Sequence, residues 1–436
     1  MAPLEVLIVG CSIAGPALAT FLLLPSLPAS QKPRVTILER SAALRTDGQN
    51  VDVRGTGVTL IRHLGLESAV RASTTGEEGV QLVDGDNVVW AQSAADKTGR
   101  YQTPTSNIEI LRGRLSELLW KRSKSVSEEV ARNGGKGVEY VFGDYLDDIE
   151  QVGDKVKVHF AKGGQHRSFD LVVGADGLQS RTRSMVWGSD GEKDRVKRLG
   201  MYGAFFSMPS GKTDTQWRRW FHAPGRRGIM TRPDEQRDKT TVFMHVINDQ
   251  DERLPSLAGK RDAVQAQKDI MAEYFHDAGW ESERVIKNMM ATRDFYYDMV
   301  GQVKMDEWSK GRVVLVGDAG YCASPISGMG TTLALTGAYD LAGAILQHPQ
   351  DLDAAFAQYQ VAMRPLVDRA QKLAPGMPRL VNPETAWGVS VLLWVSYLFC
   401  ASRLHLLAFA LGLGPPADAV PVADYGLRKL EDSRFS

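Results

Sequence analysis

The sequence is poor in the residues that build disulfide frameworks and metal sites. Only three cysteines, Cys11, Cys322 and Cys400, occur in 436 residues, and they are widely separated. This argues against a secreted, disulfide-stabilised fold and against a zinc site, so we expect no bound metal and a reducing, cytoplasmic environment. Lys and Arg together number 52, as do Asp and Glu. Without an excess of positive charge, the sequence does not suggest a nucleic-acid partner.

Long apolar runs are also scarce, and the one candidate lies near the C-terminus. The run 385–402 carries no charge, Arg403 and His405 interrupt it, and a further apolar stretch ends at Gly414. About 20 apolar residues are needed to cross a bilayer, and no cluster of Lys or Arg closely flanks this run. We therefore expect two hydrophobic helices docked on the protein. Membrane association through residues 385–414 is the alternative.

A nucleotide-binding pattern is present at the N-terminus. An apolar run at residues 4–9 is followed by GCSIAG at 10–15 and by a helical run. This is a strand, a glycine turn and a helix, in which Gly10 permits a tight turn and Gly15 lets the helix pack on the strand. Ser12 replaces the middle glycine of G-x-G-x-x-G, leaves room for a pyrophosphate and adds a hydroxyl. The pattern predicts a dinucleotide site.

A second strand strengthens this prediction. Residues 34–38 are predicted to form a second strand, which ends at Glu39 and Arg40. An acid at this point accepts hydrogen bonds from the ribose hydroxyls of an adenosine. It would repel a 2′-phosphate, so FAD or NAD is favoured over NADP as the bound dinucleotide.

A second candidate segment lies at residues 311–334, GRVVLVGDAGYCASPISGMGTTLA. A short β-branched run ends abruptly at Asp318, turn-forming residues follow, and a helix-like segment begins near Gly330. The carboxylate would stand at the end of a strand, and free backbone N–H groups would face a polar, partly anionic ligand. GADG at 174–177, with Asp176, repeats the pattern of a buried strand that ends at an acid.

Between residues 185 and 299 short alternating runs indicate a mostly antiparallel sheet inserted between the nucleotide-binding parts. For the large side chains of this insert, core positions are favoured and a substrate pocket is the alternative. These residues are Trp217, Trp220, Phe221, Met244 and His245. For the arginines of the insert, a solvated face is favoured and the steering of a nucleotide phosphate is the alternative. These residues are Arg218, Arg219, Arg226, Arg227, Arg232 and Arg237.

Several of these motifs occur in the same order in a known family. GCSIAG with Glu39-Arg40, Arg112 in ILRGRLSELL, GADG with Arg181 and Arg183, and GDAGYCASPISGMG resemble the class A FAD-dependent monooxygenases. This family is typified by para-hydroxybenzoate hydroxylase and the tetracycline-inactivating flavin enzymes. The resemblance covers about residues 4–345.

The resemblance implies roles for individual residues. Arg112 contacts the cofactor near its pyrophosphate or ribityl chain, Asp318 binds a ribityl hydroxyl, and Asp176 belongs to a segment tied to both FAD and the pyridine nucleotide. Arg45 is similar to a flavin-contacting arginine of the tetracycline-inactivating enzymes. The implied cofactor-binding residues are Gly10, Ser12, Gly15, Glu39, Arg40, Arg45, Arg112, Asp176, Asp318 and, along the isoalloxazine ring, Pro325, Gly328, Gly330 and Thr331.

Two departures from the family pattern affect these roles. Ser12 replaces a glycine, which is a mild change. Gly320-Tyr321 replaces the Ala-His that usually follows the Asp-Ala pair, so the local shape of the flavin loop cannot be read from the motif. The helix that begins near Gly330 would present its positive end to the negative charge of a reduced flavin.

The predicted fold is α/β: a Rossmann-like FAD-binding domain of the GR2 type, an inserted, mostly antiparallel substrate sheet, and C-terminal hydrophobic helices. The predicted FAD-binding domain comprises residues 1–75, 100–185 and 295–380. The substrate domain comprises residues 76–99 and 186–294, and the C-terminal helical segment residues 381–436.

The function implied is that of an FAD-dependent monooxygenase that consumes NADPH or NADH. A flavin C4a-hydroperoxide would pass one oxygen of O₂ to an aromatic or polyketide-like molecule, by hydroxylation or epoxidation, in secondary metabolism or catabolism. The alternatives are an FAD-dependent reductase or halogenase and a non-catalytic flavin-binding protein. WRRW at 217–220 does not reproduce the W-x-W-x-I-P signature of the tryptophan-rich halogenases, and no second G-x-G-x-x-G follows a later strand.

The sequence assigns no general base. Arg45, Tyr202, His222 and His245 are the candidates for a catalytic role, together with the neighbouring pair Tyr296-Tyr297, and the pattern does not choose among them.

Overall fold

Two large β-sheets organise the protein. The computed structural model describes residues 3–45, 48–95, 108–234, 238–402 and 421–432. In this part of the chain the strands are β1 (Glu5–Val9), β2 (Arg34–Glu39), β3 (Asn50–Asp52), β4 (Gly79–Val83), β5 (Val89–Ala94), β6 (Glu109–Leu111), β7 (Val138–Phe142), β8 (Leu146–Val152), β9 (Lys155–Phe160), β10 (Gln165–Phe169), β11 (Leu171–Gly174), β12 (Val196–Pro209), β13 (Arg218–Ala223), β14 (Arg227–Pro233), β15 (Lys239–Ile247), β16 (Phe295–Val303), β17 (Ser309–Lys310) and β18 (Val313–Leu315).

The helices cover these sheets. They are α1 (Ala14–Leu23), α2 (Thr56–His63), α3 (Glu67–Ala72), α4 (Arg112–Arg132), α5 (Arg181–Trp187), α6 (Glu192–Arg195), α7 (Arg253–Leu257), α8 (Val264–Phe275), α9 (Ser282–Ala291), α10 (Asp318–Tyr321), α11 (Gly330–Gln347), α12 (Leu352–Gln371) and α13 (Ala386–Ala401).

The first sheet has the strand order β17-β18-β11-β1-β2-β7 and is parallel except for its edge strand β17. Its strands are short and apolar because both faces are covered. Ile8 packs among the helices, in the cluster that includes α1, α4 and α11. Leu7 faces the other way and packs with Phe160 and Phe169 of the small sheet β10-β9-β8. The loops that follow the carboxyl ends of these parallel strands therefore lie at the same edge of the sheet.

The second sheet has the order β16-β12-β15-β14-β13-β4-β5 and is antiparallel except between β13 and β4. Side chains alternate across it. Ala204 and Phe206 of β12 face a core shared with α7, α8 and α9, whereas Phe205 lies on the opposite face. The predicted fold class, a Rossmann-like α/β domain with an inserted antiparallel sheet, is confirmed.

The strand β16 lies beyond residue 294, where the predicted insert ends, and yet it pairs with β12 along most of its length. Only at β17 does the chain return to the first sheet. We therefore propose that the insert ends near residue 303, because the alternating side chains of β16 complete the core of the second sheet.

The apolar helix α13 docks on the outer part of the second sheet. Leu393 is buried, and the Trp394 ring meets Trp90 of β5 edge-to-face with centroids 5.0 Å apart. The outward face remains apolar, and Trp387 is 77% exposed. No helix in the described ranges is long and apolar enough to span a membrane. The second predicted hydrophobic helix, at 406–414, lies outside the described residues.

Residues 421–432 cross back over the first sheet's helices as an extended segment. The Tyr425 ring packs on Tyr339, with centroids 5.3 Å apart, and the Tyr339 hydroxyl donates to the Ala423 carbonyl at 2.8 Å. Farther on, Arg122 donates to the Glu431 carbonyl at 3.3 Å. The segment thus supports α11 from behind, and α11 begins at the candidate flavin loop.

Candidate active site

The glycine turn after β1 leaves no room for side chains. Gly10 has a φ of +115°, and a Cβ there would overlap the backbone of Ala175. A Cβ on Gly15 would overlap the Gly10 carbonyl oxygen. The turn is therefore pressed against the GADG segment on one side and against α1 on the other. Only glycine meets both requirements at Gly10, because other residues rarely adopt such a φ.

Glu39 ends β2 beside this turn. Its carboxylate accepts hydrogen bonds from the backbone N–H of Cys11 at 3.0 Å and of Ser41 at 2.9 Å. Burial, reinforced by the Glu39 charge, raises the pKa of the Cys11 thiol to about 12. Cys11 therefore remains a thiol at neutral pH. Arg40, the next residue, is exposed.

Arg112 and Arg45 lie on the open side of the same turn. Arg112 is the first residue of α4, and its guanidinium donates to the Ser12 hydroxyl at 3.3 Å. Its backbone N–H donates to the Gln49 carbonyl at 2.9 Å, which fixes the start of the helix. The Arg45 guanidinium donates to the Ser41 hydroxyl at 2.8 Å. These contacts bring Arg112 next to the hydroxyl that replaces the usual middle glycine and hold Arg45 near Glu39 and Arg112.

Asp176 is used for local structure. One carboxylate oxygen accepts from the Ser180 hydroxyl at 2.5 Å, and the other accepts from the backbone N–H and hydroxyl of Thr182, both at 3.0 Å. Arg183, fully buried in α5, donates to the Ala319 carbonyl at 2.7 Å and so joins this segment to the Asp318 loop. Asp176 therefore organises the loop against which Gly10 packs.

Asp318 begins α10 immediately after β18, where Gly317 has a φ of +67°. Its carboxylate faces the start of α11, with Oδ1 3.9 Å from where a Gly330 Cβ would stand. Between them Pro325 opens a short 3₁₀ turn, and Gly328 closes it with a φ of +63°. The acid, the turn and the helix start, with Thr331 in its first turn, thus form one concave surface.

The departure at Gly320-Tyr321 leaves this surface intact. The Tyr321 side chain is fully buried and points into the core behind the loop. Its hydroxyl lies 2.9 Å from that of Tyr359, which donates to the Leu315 carbonyl at 3.0 Å. Gly337 of α11 makes room for Tyr321, since a Cβ there would overlap the hydroxyl. Tyr321 therefore fills the core and does not enter the site.

The flavin loop packs on the second sheet. Ile326, in the 3₁₀ turn, contacts the apolar cluster formed by Met201, Ile247 and Val300, which Phe243 also joins. These side chains belong to the sheet face opposite the α7–α9 core. The space in front of the loop is therefore bounded by this face of the sheet.

Asp52 is a site residue that the sequence reasoning missed. It ends β3, its Oδ2 pairs with Arg54 at 3.1 Å, and the same oxygen lies 3.5 Å from where a Gly328 Cβ would stand. Its other oxygen, Oδ1, is buried without a hydrogen-bond partner. The alternation of polar residues at 50, 52 and 54 was a usable signal, because it places all three on one side of an extended segment.

A buried ionic cluster beside Asp52 joins the two-stranded sheet β3-β6 to the second large sheet. Arg218 pairs with Glu77 at 2.9 Å and with Glu109 at 3.2 Å, and Arg232 pairs with both acids as well. Asn50 of β3 donates to Glu109 at 2.6 Å. The prediction of a solvated face is therefore wrong for Arg218 and Arg232. Their partners come from segments more than 100 residues away, which the local sequence could not indicate.

Two of the catalytic candidates are buried beneath the chain that precedes α13. The Nε2 of His245 lies 2.7 Å from the Asn382 side-chain oxygen, and the His222 ring packs edge-on against His245 with centroids 6.4 Å apart. Burial lowers the pKa of His222 to about 3 and that of His245 to about 4. Both rings are thus neutral at physiological pH and are held in packing.

The tyrosine candidates fall on different faces of the second sheet. Tyr202 belongs to the α7–α9 core and Tyr297 donates to the Leu254 carbonyl at 3.1 Å, so the structure brings neither to the site. Tyr296 lies on the site face, is 41% exposed and donates to Asp298 at 2.6 Å. Of the predicted pocket residues, Phe221 and Met244 are in the core and Trp220 is on the site face.

These residues fit a bound FAD. The Gly10 turn admits backbone contact with a pyrophosphate, Arg112 stands beside it, and Glu39 is placed for a ribose. At the other end the start of α11 and the Asp52 carboxylate lie beside the turn that Gly328 closes. Helix starts favour bound anions and negative charge.

Comparison with known proteins agrees with this geometry. Residues 3–369 match a family model described as "FAD binding domain". The chain is 35% identical to the FAD-dependent monooxygenase asL6 of Sarocladium schorii over 85% of this chain and 86% of that protein. The chain belongs to the class A FAD-dependent monooxygenases.

Further relatives extend the match to the whole chain. The flavin-dependent monooxygenase eupH of a Phoma species is 32% identical over 98% of each chain. The crystal structure of tetracycline destructase Tet(51) is 30% identical and superposes with a TM-score of 0.73 over 93% of this chain and 98% of that one. The predicted family and the FAD-dependent monooxygenase activity are therefore confirmed.

Proposed function

We propose that this monooxygenase uses NADPH or NADH and O₂ to hydroxylate or epoxidise an aromatic or polyketide-like small molecule, in secondary metabolism or catabolism. The observation that carries the proposal is the contact of Ile326 with Met201, Ile247, Val300 and Phe243. Through this contact, the loop that would hold the flavin ring packs against a sheet face that carries aromatic side chains. A substrate between them would be held next to the reacting end of the cofactor.

The cofactor roles that we propose follow the geometry. Gly10, Ser12, Gly15 and Arg112 would hold the pyrophosphate, and Glu39 the adenosine ribose. Asp318 would accept a hydrogen bond from a ribityl hydroxyl, while Pro325, Gly328, Gly330 and Thr331 would line the ring. Bound FAD supplies the two-electron chemistry and the activation of O₂. The protein orients the substrate and excludes water.

Four further residues receive roles that the sequence did not predict. We propose Asp52 as an additional ring contact, because its carboxylate lies 3.5 Å from where a Gly328 Cβ would stand and has one oxygen buried without a hydrogen-bond partner. Asp176 acts indirectly, by shaping the loop on which Gly10 packs. Arg40 and Arg45 are exposed next to the glycine turn, and we propose that they attract the phosphates of a transiently docked reductant.

The substrate class receives support from the relatives' names. The tetracycline destructase similar to this chain acts, by its name, on tetracycline. The remaining named relatives state only that they are monooxygenases. We therefore propose an aromatic or polyketide-like substrate and leave the position oxygenated open.

The test is substrate-stimulated turnover by purified protein reconstituted with FAD. We expect flavin absorbance, NADPH or NADH oxidation that an aromatic substrate accelerates, and one atom of isotopically labelled O₂ in the product. Absence of flavin binding would contradict the cofactor assignment. Substrate reduction without oxygen incorporation, or halide-dependent product, would instead support the reductase or halogenase alternative.

We also propose that the outward face of α13 rests on a lipid surface. Trp387, Leu398 and Phe399 are between 45% and 77% exposed on a helix that carries no charge. Amphipathic tryptophans are common at the membrane interface. Cosedimentation of the protein with lipid vesicles tests this proposal. A protein that does not cosediment with the vesicles would contradict it.

A further inference from the structure

A row of large apolar side chains crosses the site face of the second sheet. In register across β16, β12, β15, β14 and β13 it consists of Tyr296, Phe205, Phe243, Met230 and Trp220, which we call the apolar row. All five are at least partly exposed. Neighbouring strands are about 4.8 Å apart, so five strands span roughly 19 Å. The row is thus long enough for several fused rings.

Two glycines let rings of this face lie flat. Gly203 and Gly228 flank His245 across the ladder, and a Cβ on Gly203 would overlap the Phe243 ring, as a Cβ on Gly228 would overlap His245. The rings of Phe205 and Phe243 stack at 4.3 Å and 14°, and those of Phe243 and His245 at 5.1 Å and 26°. Without the glycines these rings would have to stand away from the sheet.

The two ends of the apolar row differ in charge. At the Trp220 end Arg218 and Arg232 are bound by the buried acids described above. At the Tyr296 end Asp298 accepts hydrogen bonds from Tyr296 at 2.6 Å and from Gln179 at 3.1 Å, and the charges of Arg45 and Arg112 also act on Tyr296. The middle of the row thus offers stacking contacts without a charged side chain.

The face also lies next to the flavin loop, since Phe243 and Ile326 pack on the same cluster. From these observations we propose that the substrate is a planar molecule of several fused aromatic rings that stacks on the apolar row, with Gly203 as the residue that determines this specificity. The proposal rests on the proposed function and specifies its substrate class. Stacked and edge-on aromatic pairs add to the free energy of burial, which favours planar ligands over saturated ones.

The test compares ligands on the FAD-loaded enzyme. A hydroxyanthraquinone, a single-ring hydroxybenzoate and a saturated polycyclic alcohol are titrated, with flavin absorbance changes reporting binding and the rate of NADPH or NADH oxidation reporting stimulation. We expect the anthraquinone to bind at least about tenfold more tightly than the other two. Equal binding of hydroxybenzoate or of the saturated alcohol would overturn the proposal.

Variants locate the effect. Gly203→Ala lifts the Phe243 ring, and Phe243→Leu removes it, so each should weaken anthraquinone binding about tenfold while FAD content is unchanged. Phe206→Leu, one residue away on the core face, and Gly85→Ala, where a Cβ meets nothing within 4 Å, are the controls and should bind as the parent does. Unchanged binding by both test variants would refute the proposal.

Different results would contradict the proposed function and the proposed substrate class. Loss of FAD binding or of oxygen incorporation in the parent enzyme would contradict the proposed function itself. An active monooxygenase in which Gly203→Ala and Phe243→Leu show the parent's preference among the three ligands would contradict only the substrate class.

Discussion

The two sheets of this enzyme place their functional groups by different means. On the first sheet the site is largely backbone: a glycine turn without space for a Cβ, loops at strand ends and the starts of α1, α4 and α11. On the second sheet the site is made of side chains that share one face by alternation. The first arrangement needs particular residues at fixed spacing and therefore leaves motifs. The second needs only bulk and register, and it leaves almost none.

The ionic cluster between the sheets gives the largest expected effect. Arg232→Met leaves Glu77 and Glu109 buried with one partner fewer, which typically costs about 3–5 kcal/mol of unfolding free energy. Arg253→Met is the matched control, because it removes a surface arginine that also binds two acids, Asp251 and Glu273. It should change stability far less, because water screens exposed ion pairs. Denaturant unfolding measures both.

Similar losses for the two variants would contradict this prediction. They would mean that water or movement of the second sheet compensates the buried acids, and that the sheets are joined less rigidly than the contacts indicate.

The buried histidines give the next effect and concern the second sheet alone. His222 and His245 have lowered pKa values of about 3 and 4 in the folded protein. In the unfolded chain these two histidines bind protons as the pH falls below about 6.5, whereas in the folded protein they stay neutral until the pH is much lower. Stability is therefore complete above pH 6.5 and falls as the pH decreases toward 4, by roughly 2 kcal/mol per histidine between pH 7 and 5.

Replacing both rings should flatten this dependence. The double variant His222→Gln with His245→Gln should lose less stability between pH 7 and 5 than the parent, whatever its stability at pH 7. Exposed His276→Gln serves as the control and should keep the parent's pH profile. A parent protein equally stable at both pH values would contradict the prediction.

Asp318 tests the first sheet. Removing a carboxylate that accepts a hydrogen bond from a ribityl hydroxyl costs about 1.5–3 kcal/mol, which is roughly tenfold to hundredfold in FAD affinity. Asp318→Ala should show this loss in a flavin fluorescence titration, whereas the exposed Asp353→Ala should not. An Asp318→Ala protein that retains FAD and full turnover would contradict the role of this residue.

The sequence predicted the two arrangements unequally. Gly10, Gly15, Glu39 and Asp318 lie where the motifs placed them, because each position is set by backbone geometry within a few residues. Asp52, Glu109 and Asn382 were not predicted. Their surroundings depend on contacts with strands far away in the chain, so no local pattern distinguishes them from ordinary surface residues.

Long-range contacts also decide which of the predicted pocket residues face the site. Trp220 and Phe221 are adjacent in sequence and lie on opposite faces of the sheet, and only the register with β14 reveals which one faces the site. The sequence favoured core positions for these large side chains, kept a pocket as the alternative, and did not distinguish one residue from the next. Which of them lie on the site face follows only from the register of the sheet.

The helix α13 gives the smallest expected effect and separates docking from lipid contact. Trp394 packs on Trp90, whereas Trp387 is 77% exposed. Trp394→Ala should lower stability by about 1 kcal/mol, since it removes one edge-to-face aromatic pair on a half-exposed surface. Trp387→Ala should leave stability within about 0.5 kcal/mol and reduce cosedimentation with vesicles. If Trp387→Ala binds vesicles as the parent does, the outward face of α13 does not contact lipid. If Trp394→Ala also destabilises the protein, the role of α13 is to dock on the second sheet.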